Sequence, residues 1–526
     1  MRSGACSVFF SCAALAVIAV PTDGCSSSPG AGFDAGNGDA GDDVRTGDDG
    51  GAQVCTPGAK QCDMMNSAQT CRADGTGWDS VPCLGGTCMN GDCACTPGST
   101  TCNGAQVLVC GPDNMYHTQS TCPAGTTCRD GLCDDVRCNE EVNQNGEFSL
   151  PTQGWPRYRH DNRNSGWTHA VVAAKPTLQW KVKIGGTMLN GAAGGLASGA
   201  VIDQNDRVLI GGGDLDGMGG AFYAFDATGK PSFTYSGGPR GYGWTTPAVR
   251  ADGVAYYSTA DGHAYAVNTN GTQAWSYTFG FQDDCSPIVT KDGYIIYGSD
   301  SGSLFAMHPD GTPLWKSDLS MGPGEVDSAL AESCAGVIYA GGRNGWFAMD
   351  AQTGATIWKV TATGSYVSLL SSPVVTADGT MYGIDSGGII YAIDKNGKVL
   401  WQKTVTTTGP GTDVAHVADQ VYAVLNDGNL HAYKAADGTE VWSKPVGNGV
   451  ETYEHAGPIV DGNQHLYFNS DDGNVYAFDT SGNQLWKLTA SGMSTSGSET
   501  RYGTMAIDKD GRLYVPGNDG YLYAFK

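Results

Sequence analysis

The sequence is short of positive charge. Across 526 residues, 30 Lys and Arg stand against 54 Asp and Glu, a formal net charge of −24. That balance argues against nucleic acid or an anionic lipid surface as the main partner. After the first two dozen residues, no apolar run is long enough to cross a bilayer. Zinc would need CxxC pairs or clustered histidines, and both are missing. HExxH, a haem-binding CxxCH, and GxSxG placed as a strand-to-helix elbow are missing too. No two cysteines are adjacent. Asp508-Lys509-Asp510-Gly511 begins as a calcium loop does but lacks the remainder, so it reads as a turn.

What is present is a repeat. Residues 371–403, SSPVVTADGTMYGIDSGGIIYAIDKNGKVLWQK, hold short runs rich in Val, Ile, Tyr and Trp, which suit strands. Asp378-Gly379, Asp385-Ser386-Gly387 and Asn396-Gly397 separate the runs, as hairpin turns needing positive φ would. The runs are too short for helices and mostly apolar on both faces, which fits a small sheet buried between two others. Seven other stretches repeat the pattern.

Its signature is an aromatic or His followed by Ala: Tyr223-Ala224, Tyr265-Ala266, Phe305-Ala306, Phe347-Ala348, Tyr391-Ala392, His431-Ala432, Tyr476-Ala477 and Tyr523-Ala524. Nine or ten residues after each of the first seven alanines stands a large aromatic: Phe233, Trp275, Trp315, Trp358, Trp401, Trp442 and Trp486. Ala524 is two residues from the C-terminus and has no such follower. Trp180, in a lone strand upstream of the first repeat, is expected to supply it. An all-β, eight-bladed β-propeller closed by that N-terminal strand accounts for both irregularities and removes the open edges of a linear array.

The motif AMDAQTGATIW, Ala348 to Trp358, resembles the tryptophan-docking repeat of the PQQ-like (pyrroloquinoline quinone) eight-bladed propellers. The resemblance covers 176–526 and implies that the small Ala and the turn Gly let each indole lie flat between blades. WPRYRHDNRNSGW, Trp155 to Trp167, resembles the lead-in that often precedes such propellers. The family includes quinone enzymes and non-catalytic binding propellers, among them propeller lipoproteins of the outer-membrane β-barrel assembly machinery, so the name leaves function open.

The N-terminal part is expected to be an export region. Residues 1–24 read as a signal peptide, with Arg2 at the positive end and an apolar run from Val8 to Val20. Thr22-Asp23-Gly24-Cys25 resembles a bacterial lipoprotein cleavage site, although Thr22 and Asp23 depart from its usual apolar and small pair. Lipidation is expected at Cys25, with ordinary cleavage nearby as the alternative; acyl chains would be the only anchor, and stable anchoring needs more than one of them.

Residues 26–54, Gly, Ala, Ser and Asp with almost nothing to bury, read as a disordered tether.

Cysteines 55, 62, 71, 83, 88 and 93, then 95, 102, 110, 122, 128 and 133, repeat at nearly matching spacings. They imply two small disulfide-stapled modules within 55–138, each too small to fold on a core alone. An export signal places them where disulfides persist. Sequence does not choose their pairing. Beyond the modules stand Cys138, Cys285 and Cys334. Aligning the blades separates Cys285 from Cys334 by roughly 20 Å along strands rising ~3.3 Å per residue, too far for a bridge. Cys138, the last residue before a connector spanning 139–175, could tie to one of them and leave the other free.

Aligned on Pro373, the loops leading into the innermost strands place Trp244, Asp283, Asp284, Cys285, Glu325, Asp327, Asp413, Glu451, Glu454, His455, Glu499, Arg501 and Tyr502 around one mouth of the axial channel. Five of the eight loops carry a carboxylate, and clustered like charge around a funnel attracts cations or a basic partner. Solvated surface loops are the alternative. Quinone dehydrogenases of this fold carry adjacent cysteines and a Glu, Asn and Asp set for calcium, with a catalytic Asp; none can be matched here. No catalytic residue, metal site or cofactor is therefore expected. The function expected is a non-catalytic cell-envelope lipoprotein at the outer membrane, its propeller a scaffold for a protein or glycan. A PQQ- and calcium-dependent oxidoreductase with a divergent site, or a calcium- or saccharide-binding adhesin, are the alternatives.

Overall fold

The computed structural model describes residues 55–135 in part. It describes residues 154–526 apart from 185–197, 215–218, 237–244, 260–261, 281–284, 300, 320–325, 327, 343–344, 363–370, 406–411, 448–456, 471, 473, 490–503 and 518–519. Residues 1–54, with Cys25 and the signal sequence, and Cys138 lie outside the described residues.

Eight four-stranded antiparallel sheets follow one another among the described residues. Blades 1 to 7 span 201–235, 248–278, 288–318, 331–361, 374–404, 415–445 and 459–489, each running from its innermost to its outermost strand. Blade 8 takes three strands from 506–525 and its fourth, Leu178–Lys183, from upstream of blade 1. In that pairing Trp180 stands opposite Ala524. Thr177 and Lys526 exchange backbone hydrogen bonds of 2.8 and 3.0 Å just beyond it. A single buried cluster then joins blades 7, 8 and 1, with Tyr467, Tyr514 and Ile210 as members. The ring is closed by its N-terminal strand.

Seven of the eight seams are built the same way, and the sequence signature explains them. Each signature Ala pairs across the outer hairpin with its aromatic, as Ala266 with Trp275 and Ala392 with Trp401. The alanines are buried completely. The indole N–H then donates to a turn carbonyl of the next blade. Trp180 reaches Ala227 O at 2.9 Å, Trp275 Pro309 O at 2.8 Å, and Trp315 Ala351 O at 3.0 Å. Trp358, Trp401 and Trp442 reach Lys395, Ala435 and Thr480 at 3.0, 2.8 and 3.1 Å. Phe233 takes the same place against Gly271 without an N–H to give. Trp486 packs against Tyr467, 5.4 Å between centroids, as Trp401 does against Tyr382 and Trp442 against Tyr422, and lies beside the blade 7–8 core.

The turn glycine under each ring is required twice over. Gly397 has φ +82°, and a Cβ there would lie 2.8 Å from Cγ of Trp358. Gly293 has φ +84° with nothing within 4 Å of that position. Both Gly→Ala changes therefore incur left-handed strain of ~1–2 kcal/mol, while only Gly397→Ala adds overpacking of ~1–3 kcal/mol. In urea unfolding, Gly397→Ala should be clearly the more destabilising of the two. Equal losses would mean that the indole does not hold the seam.

The outermost strands bulge just before the aromatic: Ala392 pairs with Trp401 but Ile393 with Val399, which leaves Leu400 unpaired. A bulge on an exposed edge discourages a second sheet from adding there.

In the cysteine-rich region the described strands form short hairpins. Cys55 is bonded to Cys71, with Cα atoms 5.9 Å apart, and Cys62 is also disulfide-bonded. The backbone register sets Cys88 opposite Cys93 and Cys128 opposite Cys133, the same arrangement in both copies. Cys334 is disulfide-bonded, whereas Cys285 is a buried thiol whose Sγ–H donates to Ser328 O at 3.0 Å.

Candidate functional site

The innermost strand of each blade is only two or three residues long, and its free edge faces the axis with unpaired N–H and C=O groups. Such groups must find partners if they are not left to water. Residues 154–172 supply them. Assigned by sequence to a connector and lead-in, this segment is built into the ring and touches every blade.

Trp155 exchanges two backbone hydrogen bonds with Ile202 of blade 1, and Val249 N of blade 2 donates to Pro156 O at 2.7 Å. Asn162 Nδ2 donates to Val289 O of blade 3 at 2.9 Å, and Glu332 N of blade 4 donates to Asn162 O. Val375 N of blade 5 donates to Arg163 O, and Asn164 Nδ2 reaches Pro373 O of the same blade. The Arg159 guanidinium takes Val414 O of blade 6 and, at 3.0 Å, Pro458 O at blade 7. Val460 N then donates to Gly166 O, and Gly462 N to Ala170 O. Blade 8 approaches so closely that a Cβ on Gly511 would lie 1.9 Å from Val171 O.

The tip of this loop is polar yet buried. Arg157, Arg159, His160, Asp161, Asn162, Arg163 and Asn164 are all at most 5% exposed. Asp161 shapes the tip: its carboxylate accepts from Arg163 N, Ser165 N and the Ser165 hydroxyl. Burial works against that charge, but Arg163 and His160 together with the Ser165 bonds hold it below the usual carboxylate range. Arg159, His160 and Asn164 have positive φ, of 50°, 74° and 55°. The Arg157 guanidinium donates to Asp161 O and Leu330 O, both at 2.7 Å, and burial pulls it down to about 10 against the charges of Asp161 and Glu332.

Asp413 departs from the expectation of an open rim carboxylate. It is 6% exposed, accepts the Tyr158 hydroxyl on Oδ2, and accepts Ser372 N on Oδ1 at 2.7 Å. Burial raises it above the ordinary carboxylate range, against the pull of Arg159 and the Tyr158 and Ser372 bonds. It is tied to the loop through Tyr158. Trp244, Asp283, Asp284, Glu325, Asp327, Glu451, Glu454, His455, Glu499, Arg501 and Tyr502 lie outside the described residues.

Sequence reasoning missed Arg157, Tyr158, Arg159, Asn162 and Glu332 as axial residues. The signal available was the lead-in itself, with two tryptophans framing its polar tip. Among the described residues, no three or more of His, Cys, Asp and Glu are grouped to hold a metal ion. Among the described residues, the axis is held by Arg157 to Asn164.

A family described as outer membrane protein assembly factor BamB matches residues 281–429 and 409–526. BamB of Yersinia pestis is 26% identical over 203 residues, 36% of this chain and 48% of that protein. BamB of Moranella endobia (strain PCIT) is 29% identical over 126 residues, 22% of this chain and 32% of that protein. The chain thus spans less than half the length of either relative. Among solved structures, BamB from Moraxella catarrhalis aligns with a TM-score of 0.50 at 15% identity, over 67% of this chain and 100% of that one. The quinohemoprotein alcohol dehydrogenase from Comamonas testosteroni aligns with a TM-score of 0.56 at 14% identity, over 72% of this chain and 81% of that one. At these identities the structures speak to fold alone. The chain folds as a β-propeller, and over residues 281–526 its sequence resembles the outer membrane protein assembly factor BamB family.

Proposed function

We propose that this chain is a non-catalytic protein of the cell envelope, anchored to the outer membrane through acylated Cys25, whose propeller is a docking scaffold for a protein of the β-barrel assembly machinery. The observation that carries the reading is the sequence match to outer membrane assembly factors along blades 3 to 8. The geometry is in keeping with it. An axis filled by the chain's own loop leaves the loops and blade edges as the surfaces offered to others, and the cysteine-rich modules serve as a spacer between anchor and ring.

The test is site-specific photo-crosslinking in intact cells, from Asp283, Glu325 and Glu454 in turn. An adduct with a β-barrel assembly component is expected. Adducts with a glycan alone would move the reading to saccharide binding. The quinoprotein alternative is tested by thermal unfolding of the whole protein with PQQ and calcium. A ligand held at about 100 times its Kd stabilises by ~2.7 kcal/mol, so a rise in Tm that requires both ligands would overturn the non-catalytic reading.

A further inference from the structure

Glu332 lies on the innermost strand of blade 4 and is completely buried. It grips Asn162 at both ends of that residue. Its backbone N donates to Asn162 O at 2.5 Å, and its Oε2 accepts Asn162 Nδ2 at 2.7 Å. The same oxygen accepts Lys291 N at 2.8 Å, while Oε1 has no hydrogen-bond partner. A carboxylate spreads its charge over both oxygens, so ionisation would leave one of them charged and unsolvated. A neutral carboxyl is the weaker acceptor toward Asn162 and Lys291, but it still bonds both through Oε2 and buries no charge. Burying an unpaired charge is far costlier than burying a neutral polar group.

We propose that Glu332 is a proton-operated latch on the axial loop: the neutral carboxyl holds Asn162 in the channel, and ionisation releases the loop tip, residues 157–165, to solvent. The tip suits such a role. It is held by hydrogen bonds that water can replace, and three of its residues carry left-handed backbone strain that opening would relieve. Trp155 and Val172, buried in the core on either side, would stay as the hinges' anchors.

The charged groups facing Glu332 are Lys291 and Asp292 on the turn of blade 3 and Arg157 on the loop. Burial dominates and pushes the carboxyl up to about 8, with the Lys291 amide, the Lys291 charge and Asn162 opposing and Asp292 assisting. Because this value is raised above that of a solvated Glu, closure is fully favoured below pH ~4.5 and is lost progressively up to about pH 8, beyond which it changes no further. Asp413, also raised by burial, pulls Tyr158 in the same sense.

The loop carries its own reporters, since Arg157, Arg159 and Arg163 are trypsin sites that only an open tip exposes. The experiment measures cleavage after these arginines in the full-length protein and in Glu332→Gln, with global unfolding followed by circular dichroism. Glutamine mimics the neutral carboxyl, so the wild-type to variant cleavage ratio should rise roughly tenfold per pH unit between about pH 6 and 8 and then level off. A ratio independent of pH would overturn the proposal, as would loop cleavage that only accompanies loss of the β-sheet signal. Wild-type cleavage normalised to a free peptide of residues 153–168 gives a second measure that needs no variant. It should climb over the same interval, and a flat profile would count equally against the latch.

Discussion

Deleting Pro176–Ile184 is expected to abolish the cooperative unfolding transition of the propeller or lower its midpoint by tens of degrees. The deletion strips blade 8 of its outermost strand and bares the edge of Tyr521–Phe525. Trp180 goes with it, together with its bond to Ala227 and its seat on Gly229. So do the bonds between Thr177 and Lys526 and the bond from Ile184 N to Gly520 O. Burial of Val182, Ile184 and the indole contributes ~1.5–3 kcal/mol per side chain, and each backbone bond ~1 kcal/mol. The sum is of the order of a domain's whole stability, ~5–15 kcal/mol. Trp180→Ala alone should cost ~3–5 kcal/mol, which calorimetry would register as a lower but still single transition. A deletion that melts like the parent would refute closure by this strand.

Replacing both axial arginines should be nearly as damaging. In Arg157→Met with Arg159→Met, the carbonyls of Val414 and Pro458 lose their donors inside the protein, and those of Asp161 and Leu330 keep only the Asn164 N–H and Nδ2. Each stranded carbonyl costs ~1–3 kcal/mol, so the pair should lose about 2–6 kcal/mol. Methionine keeps much of the volume, which separates the lost hydrogen bonds from a cavity effect. Arg159→Lys should rescue little, because a single ammonium does not reproduce the fork that spans two carbonyls. Arg250→Ala is the control: its pairing with Asp252 is partly exposed, and such pairs contribute ~0–1 kcal/mol. Denaturant midpoints that move no further for the axial pair than for Arg250 would show the loop to be dispensable.

The ring was legible because its physics is local. Alanine, aromatic and turn glycine lie within one blade, so each repeat states its own packing rule. The missing follower of Ala524 then pointed to Trp180, a contact between the two ends of the ring. The axial loop was not legible for the opposite reason. WPRYRHDNRNSGW has no strand or helix periodicity, and its arginines and Asp161 resemble a solvated connector. Its burial depends on carbonyls 127 to 299 residues away, such as Val289 and Pro458. Asp413 was misread likewise: alignment put it in a loop, but the Tyr158 hydroxyl decides that it is buried. Cys285 and Cys334 were rightly kept apart by strand geometry, while which of the two is bridged depends on chain outside the blades.

The same loop bears on how the protein reaches its fold. Residues 155–172 leave the ribosome before any blade exists, yet their partners extend to Asp461, 289 residues away from Val172. Long-range contacts of this kind are slow to form, because the chain-closure entropy must be met before any contact repays it. A linear repeat array can begin folding anywhere and grow outward. Here the first segment of the propeller to be made is among the last that can be satisfied, so assembly has to wait for blade 8. Until then, the polar tip and eight unpaired strand edges stay open to other chains. Folding is thereby confined to a single late event, and an export pathway that holds the chain unfolded until all of it has crossed suits that order.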